Sequence, residues 1–307
     1  MAVFLAIPSR GMLTAGTAMA LLKPGRTPIY SARCHCTSLL ALCFNTLWCQ
    51  ALNERFGADG TRNFTHFVML HDDVEPLDSG WLDTLMLEFE ASGADILSCV
   101  IPIKDDRGLT STAVMNPDTL EMTRLTMADA HRMPTTFDGE AFNGNANDVI
   151  LPNTGLFVCR FDVPWIEEIR FTVRDRIFRD ANGKYHAQSY GEDWGLGYDA
   201  ARLGLKVKAT RAINLIHKGT FDFPSMVAWG GWDADKDAPA IFDPSLCNDA
   251  VWGASGVRVI EEADDELVER AAAIANRSFS ARAEPSPRNV SSLRGSHQAL
   301  SGVARGH

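Results

Sequence analysis

No apolar run in the chain approaches the roughly 20 residues that a membrane-crossing helix requires, so a helical membrane protein is not expected. The start, Met1-Ala2-Val3-Phe4-Leu5-Ala6-Ile7, carries neither a basic leader nor a cleavage site and reads as a first strand, which predicts a cytoplasmic protein. Positive charge is also short. Against 39 Asp and Glu stand 29 Lys and Arg, a net charge of −10, which argues against broad attraction to nucleic acid or anionic membrane while leaving room for a local basic groove. Neither G-x-G-x-x-G nor G-K-[ST] follows any predicted strand, so dehydrogenase and kinase readings lose their main support. The seven cysteines are an odd number. Cys34, Cys36, Cys43 and Cys49 lie close together, and Cys99, Cys159 and Cys247 are scattered, a pattern expected of reduced, mostly buried thiols rather than a disulfide framework. Cys34-His35-Cys36 has no second C-x-x-C or H-x-x-H to complete a zinc site.

What the sequence does contain is alternation. The 307 residues, 46% of them hydrophobic, allow one large domain or two closely packed ones. A strand over Ala2–Ile7 runs into Pro8-Ser9-Arg10-Gly11, and Ile29–Ala32 reads as a second short strand. A helix is predicted from Thr37 or Ser38 to near Gly57, with Leu40, Phe44, Leu47 and Ala51 at helical spacing. Phe67–Leu70 is a buried strand, a helix carrying Trp81, Leu82, Leu85, Met86 and Phe89 stops at Gly93, and a strand follows over Ile96–Ile103. These elements predict an α/β fold whose mixed, mainly parallel sheet is flanked by helices.

From Lys104 to Asp148 the sequence turns polar and rich in Gly, Asn and Thr, and is expected to be a long loop, either a functional cover or disordered, with short hairpins near Thr112–Val114 and Leu120–Arg124. Val149–Arg160 reads as one bent strand, with Asn153-Thr154-Gly155 bringing backbone close to a neighbour or forming a bulge. A helix opened by Glu192-Asp193 carries Trp194, Tyr198 and Ala201 inward and stops at Gly204. Strands over Lys206–Ala209 and Ala212–Ile216 follow, the latter ending in His217-Lys218-Gly219. Phe221-Asp222-Phe223-Pro224 and Trp229-Gly230-Gly231-Trp232 form an aromatic patch suited to stacking or to packing against the core. Val259–Asn276 is predicted helical, and the residues beyond Ser278 read as a disordered tail.

Chemistry concentrates at one strand end, His71-Asp72-Asp73-Val74-Glu75-Pro76. Adjacent carboxylates repel and raise each other's pKa, so a pair fixed there is explained either by a cation or by a solvated acidic turn. Glu192 and Asp193 open a helix, where one acid complements the dipole and the second is available to a cleft.

Taken in order, Ile7-Pro8-Ser9, His71 to Pro76, Gly191-Glu192-Asp193-Trp194 and Ile216-His217-Lys218-Gly219 resemble the signposts of a GT-A-fold, nucleotide-sugar-dependent glycosyltransferase of the family 2 style, over residues 1 to about 220. The resemblance implies a Rossmann-like catalytic domain over 1–235, with a nucleotide-binding half (1–105) and an acceptor half (106–235), then a helical extension (236–277) and a tail (278–307). It implies metal ligation by Asp73 and His217. His71 stands where the family has its first acid, so either Asp72 takes that role or His71 ligates, a donor better suited to Mn²⁺ than to Mg²⁺. Pro8, Ser9 and Arg10 would line the nucleoside pocket, Asp72 the ribose and metal, Asn153, Thr154 and Gly155 the junction of donor sugar and acceptor, and Lys218 the diphosphate. Asp193 would be the general base of an inverting transfer, with Glu192 orienting the acceptor, although a late histidine also occurs in retaining enzymes. The acceptor stays open among saccharide, lipid-linked sugar, protein and modified DNA base. Two other readings fit the same pattern: a nucleotidyltransferase, and a nucleotide-sugar-binding protein without chemistry.

Overall fold

A computed structural model describes residues 2–230 apart from 119, 120, 180 and 181. Trp232, Cys247, the helix expected over Val259–Asn276 and the tail lie outside the described residues.

The first half builds strands whose hydrophobic runs are buried on both faces. β1 (Val3–Ser9) and β3 (His66–Leu70) are buried at every residue. Between them come α1 (Ala15–Leu22), β2 (Ile29–Cys36) and α2 (Leu40–Glu54). α1 is capped by Thr14, whose hydroxyl accepts from the Thr17 amide at 3.2 Å. After β3 follow β4 (Val74–Pro76), α3 (Trp81–Ser92) and β5 (Ile96–Cys99). α3 is bracketed by Gly80 and Gly93 at φ 78° and 63°, left-handed positions that glycine adopts without steric cost.

The second half comprises β6 (Leu109–Met115), β7 (Met122–Thr126), α4 (Met127–Arg132), β8 (Thr136–Phe137), α5 (Glu140–Asn143), β9 (Val149–Leu151) and β10 (Leu156–Arg160). After a 3₁₀ turn at Pro164–Glu167 come β11 (Arg174–Arg179), β12 (Tyr185–Tyr190), α6 (Glu192–Arg202), β13 (Val207–Thr210), β14 (Leu215–Lys218) and β15 (Asp222–Pro224).

Seven strands form a mixed sheet in the order β2-β1-β3-β10-β5-β13-β8. β2, β1, β3, β5 and β13 run one way, and β10 and β8 run against them. Alternation along each strand divides the core into two layers. Phe4, Phe67, Met69 and Phe157 pack with Phe44, Leu47 and Trp48 of α2, while Leu5, Val68, Leu70 and Val158 pack with Trp81, Leu85 and Phe89 of α3. The helix and strand periodicities read from the sequence account for this half.

The stretch 104–148 differs from the expected long loop. It holds three strands and two helices, and β6 pairs with both β7 and β9 to make a second sheet, β7-β6-β9. Its polarity misleads because polar residues are buried within it: Thr110 is fully buried and its hydroxyl donates to the Leu125 carbonyl at 2.8 Å, while the equally buried Thr112 hydroxyl has no hydrogen-bond partner. Thr126 and Asp129 form a reciprocal capping box that starts α4.

Three boundaries also shift. The strand expected over Ile96–Ile103 ends at Cys99, although Val100 and Ile101 stay buried. The expected Ala212–Ile216 strand begins at Leu215 and runs through His217. The bent strand over Val149–Arg160 is two strands in different sheets, broken at Pro152–Gly155. The six cysteines among the described residues are all free, Cys43, Cys99 and Cys159 buried and Cys34, Cys36 and Cys49 exposed, so half of them, and not most, are buried. Trp229 packs against the core, its indole donating to the Pro224 carbonyl at 2.8 Å.

Candidate functional site

The loop after β1 and the turn after β3 are tied together by Asp72. Its amide donates to the Pro8 carbonyl at 3.3 Å, its carboxylate accepts from the Arg10 amide at 3.0 Å, and its carbonyl accepts from the Thr14 amide at 3.0 Å. Ser9 closes the same loop by accepting the Gly11 amide at 2.9 Å. Pro8, Ser9, Arg10 and Asp72 therefore converge, with one Asp72 oxygen committed to backbone.

Asp73 faces the other way. One oxygen is ion-paired to the Lys104 ammonium, and the other lies 3.7 Å from Nε2 of His217. Burial would raise the Asp73 carboxyl, but the neighbouring His217 ring and the hydrogen-bonded Lys104 ammonium outweigh it and hold the group far below the usual carboxylate range. β14 is fixed against this turn, since the Lys218 amide donates to the Asp73 carbonyl at 2.8 Å. Nδ1 of His217 lies 2.7 Å from the Pro102 carbonyl, which can only accept, so that nitrogen carries a proton. Nε2 is thus directed at the Asp73 carboxylate. A lone pair would oppose the carboxylate there, so the geometry requires either an imidazolium or a cation between the two.

His71 is the third member. Its Nε2 is enclosed with no hydrogen-bond partner, and its ring lies 5.0 Å from that of Phe44. Burial drives its pKa down to about 4, so the ring is neutral. Glu75, in contrast, is structural: its carboxylate lies against Gly16, where an added Cβ would sit 2.2 Å from the carboxyl carbon. Lys218 pairs with Asp222 on the adjacent strand β15. Among the described residues, no three His, Cys, Asp or Glu side chains form a metal-holding group.

The break between β9 and β10 joins this cluster to a second one. The His71 amide donates to the Gly155 carbonyl at 2.8 Å, and Asn153 folds back so that its side-chain oxygen accepts from the Gly155 amide at 2.6 Å. Ser98 clamps Asn153, accepting its amide at 3.0 Å and donating to its carbonyl at 2.6 Å. The Thr154 hydroxyl donates to the Asp193 carboxylate. Asp193 is pushed up to about 7, first by burial and then by the charge of Glu192, with Thr154 and Arg124 pulling in the opposite direction.

Asp193 lines a cleft of about 130 Å³ with Ser111, Arg124, Ser189, Gly191, Glu192 and Trp194. The Trp194 indole donates to the Ser111 carbonyl at 3.0 Å, and the Arg124 guanidinium lies 4.7 Å from the centre of its ring while donating to the Thr110 carbonyl at 3.0 Å. Lys104 and Arg124 were not singled out in the sequence. Both fall in the stretch read as a loop, and no local motif marks either one.

No family model matches the chain, and no curated protein matches it. Among solved structures it is similar to A197 from STIV, with a TM-score of 0.44 and 13% identity over 76% of this chain and 96% of that one.

Proposed function

We propose that this chain is a metal-dependent GT-A glycosyltransferase that moves a sugar from a nucleoside-diphosphate donor to a hydroxyl acceptor with inversion. One observation carries the reading. The Asp73–His217 pair and the raised carboxyl of Asp193 are connected through three consecutive residues, Asn153, Thr154 and Gly155, so charge stabilisation and proton acceptance sit on one continuous scaffold.

Two donors for a divalent ion lie at these strand ends, fewer than a site built from protein alone needs. Asp73 would offer an oxygen and His217 its Nε2, with Nδ1 carrying the proton, leaving phosphate oxygens and water to complete the sphere of Mn²⁺ or Mg²⁺. His71, with its enclosed and unpartnered Nε2, is the remaining donor beside them. An ion bound there would stabilise the negative charge that develops on the departing nucleoside diphosphate.

The protein's own residues do the rest. Arg10 and Lys104 bring positive charge to the same strand ends, Lys104 directly at Asp73. Asp193 in its ionised form accepts the proton of the acceptor hydroxyl as that oxygen bonds to the anomeric carbon and the bond from that carbon to the diphosphate oxygen breaks. A pKa near 7 matches this task, and Thr154 orients the carboxylate.

Incubation with a panel of nucleotide sugars and Mn²⁺ should release nucleoside diphosphate from one donor, and Asp73→Ala should lower that rate by at least about 100-fold. If no donor is bound or turned over, and Asp73→Ala alters nothing, the reading is wrong. Release of pyrophosphate from a nucleoside triphosphate would instead identify a nucleotidyltransferase. The Lys104–Asp73 ion pair, which already balances the carboxylate, favours one rival: a nucleotide-sugar-binding protein that binds donor without metal and does not turn it over.

A further inference from the structure

Arg124 has more charge than its surroundings use. It sits on β7 with its guanidinium in the wall of the Asp193 cleft, half-buried and desolvated enough to lower its pKa, with partial compensation from the fields of Asp193 and Asp105. Its partners are the Thr110 carbonyl and the Trp194 ring, and among the described residues no carboxylate lies within the 4.0 Å of an ion pair. A guanidinium carries five N–H donors in a planar fork, and one carbonyl and one ring face leave most of that fork unanswered. A half-buried guanidinium with no anion paired to it suits a carboxylate or phosphate taken bidentately.

The cleft supplies the setting. Ser111 and Ser189 line the same cleft, with Glu192 and Asp193 as its acidic members and Arg124 as its one cation. Asp193 also lines it yet does not touch Arg124, so the two flank a gap. At about 130 Å³ the gap holds roughly four waters' worth of space, enough for an anionic group and part of a sugar ring. The positions are fixed from both sides, because Trp194 is anchored to β6 through Ser111 and Asp193 is anchored to the β9–β10 break through Thr154.

We propose that the acceptor carries a carboxylate or phosphate beside the hydroxyl that reacts, and that Arg124, with Ser111 and Ser189, is the site that selects it. This rests on the glycosyl-transfer reading for what the acceptor does, whereas anion recognition itself is independent of turnover. Both sources present the same planar or tetrahedral oxygens to the fork, a sugar acid through its carboxylate and a sugar phosphate through its ester.

Calorimetric titration of the full chain with glucose, glucuronate, glucose 6-phosphate and inorganic phosphate tests this. The wild type should bind at least one anionic sugar about 10-fold or more tightly than glucose, and whether glucuronate or glucose 6-phosphate is preferred identifies the source. Arg124→Gln should erase that preference, and Arg124→Lys should retain part of it. Inorganic phosphate should compete with the preferred probe on the wild type, a measurement that stands even if Arg124→Gln does not fold. Asp193→Asn should keep the anion preference while losing transfer. If the wild type does not distinguish glucose from its anionic analogues, or Arg124→Gln distinguishes them as well as the wild type, the proposal is overturned. An anion preference that depends on Arg124 in a chain that turns over no nucleotide sugar would sink the transfer reading and leave the anion site standing.

Discussion

At the scale of single residues, the cation question turns on Lys104. Its ammonium already answers one oxygen of Asp73, and its stem runs past Gly219, where an added Cβ would come within 3.1 Å of the Lys104 Cδ. A metal ion at Asp73 therefore competes with a resident charge. The two side chains are about one-third exposed, so the pair contributes no more than ~1 kcal/mol, or roughly five-fold in affinity. Lys104→Met should accordingly tighten Mn²⁺ binding by up to about five-fold, read by titration of the free-ion paramagnetic resonance signal. Weaker binding would show that Lys104 orients Asp73 for the ion instead of opposing it. Asp73 and Asp193 were legible in the sequence because each belongs to a local cluster of acids next to a strand end or helix start. Lys104 and Arg124 were not, because their significance comes from partners far along the chain: Asp73 is 31 positions from Lys104, and the Trp194 ring under Arg124 belongs to a different element altogether. His71 shows the intermediate case, a motif position visible in sequence whose enclosed, unpartnered nitrogen only the fold reveals.

At the scale of elements, the sequence read well wherever burial followed a simple period and poorly where polar residues satisfied one another. β1, β3, α2 and α3 bury continuous runs or helical stripes, so their positions follow from hydrophobicity alone. β6 and β7 showed in the sequence only as short hairpin positions near Thr112–Val114 and Leu120–Arg124, because Thr110 and Thr112 are wholly buried yet look like loop residues, so the extent of the sheet was missed. The β9–β10 break was misread because two apolar runs separated only by Pro152-Asn153-Thr154-Gly155 look like one bent strand, which conceals a change of sheet. That break depends on close packing rather than on an unusual backbone angle at Gly155. A Cβ there would meet the Asn153 side-chain oxygen and the Ile101 Cδ1, each at 2.7 Å. Gly155→Ala should therefore destabilise the fold by about 1–3 kcal/mol through overpacking, measured as a lower urea midpoint at unchanged slope. An unchanged midpoint would mean that the break can open without cost and does not hold the two sheets in register.

At the scale of the whole molecule, the main sheet and the β7-β6-β9 sheet meet at the candidate site, joined by that break and by the Ser111 amide, which donates to the Ile101 carbonyl at 3.1 Å. The main sheet brings Asp72, Asp73 and the backbone of His71, the small sheet brings Ser111 and Arg124, and Thr154 joins them by donating to Asp193. The link has a signature that separates it from the Asp73 side. Thr154 stabilises the ionised form of Asp193, while burial and Glu192 oppose it. Because Asp193 must be ionised to accept a proton, transfer should rise with pH through a midpoint near 7 in the wild type. Thr154→Val keeps the shape of this fully buried side chain and deletes its donor, so the Asp193 pKa rises and the midpoint moves to higher pH. Nucleoside-diphosphate binding at the Asp73 side should stay within about two-fold of wild type, since Thr154 touches no group there, and Thr154→Ser should restore the original midpoint. A midpoint that does not move in Thr154→Val would show that Asp193 is not the base, because no other change to its surroundings leaves the Asp73 cluster untouched while removing a hydrogen bond from this carboxylate.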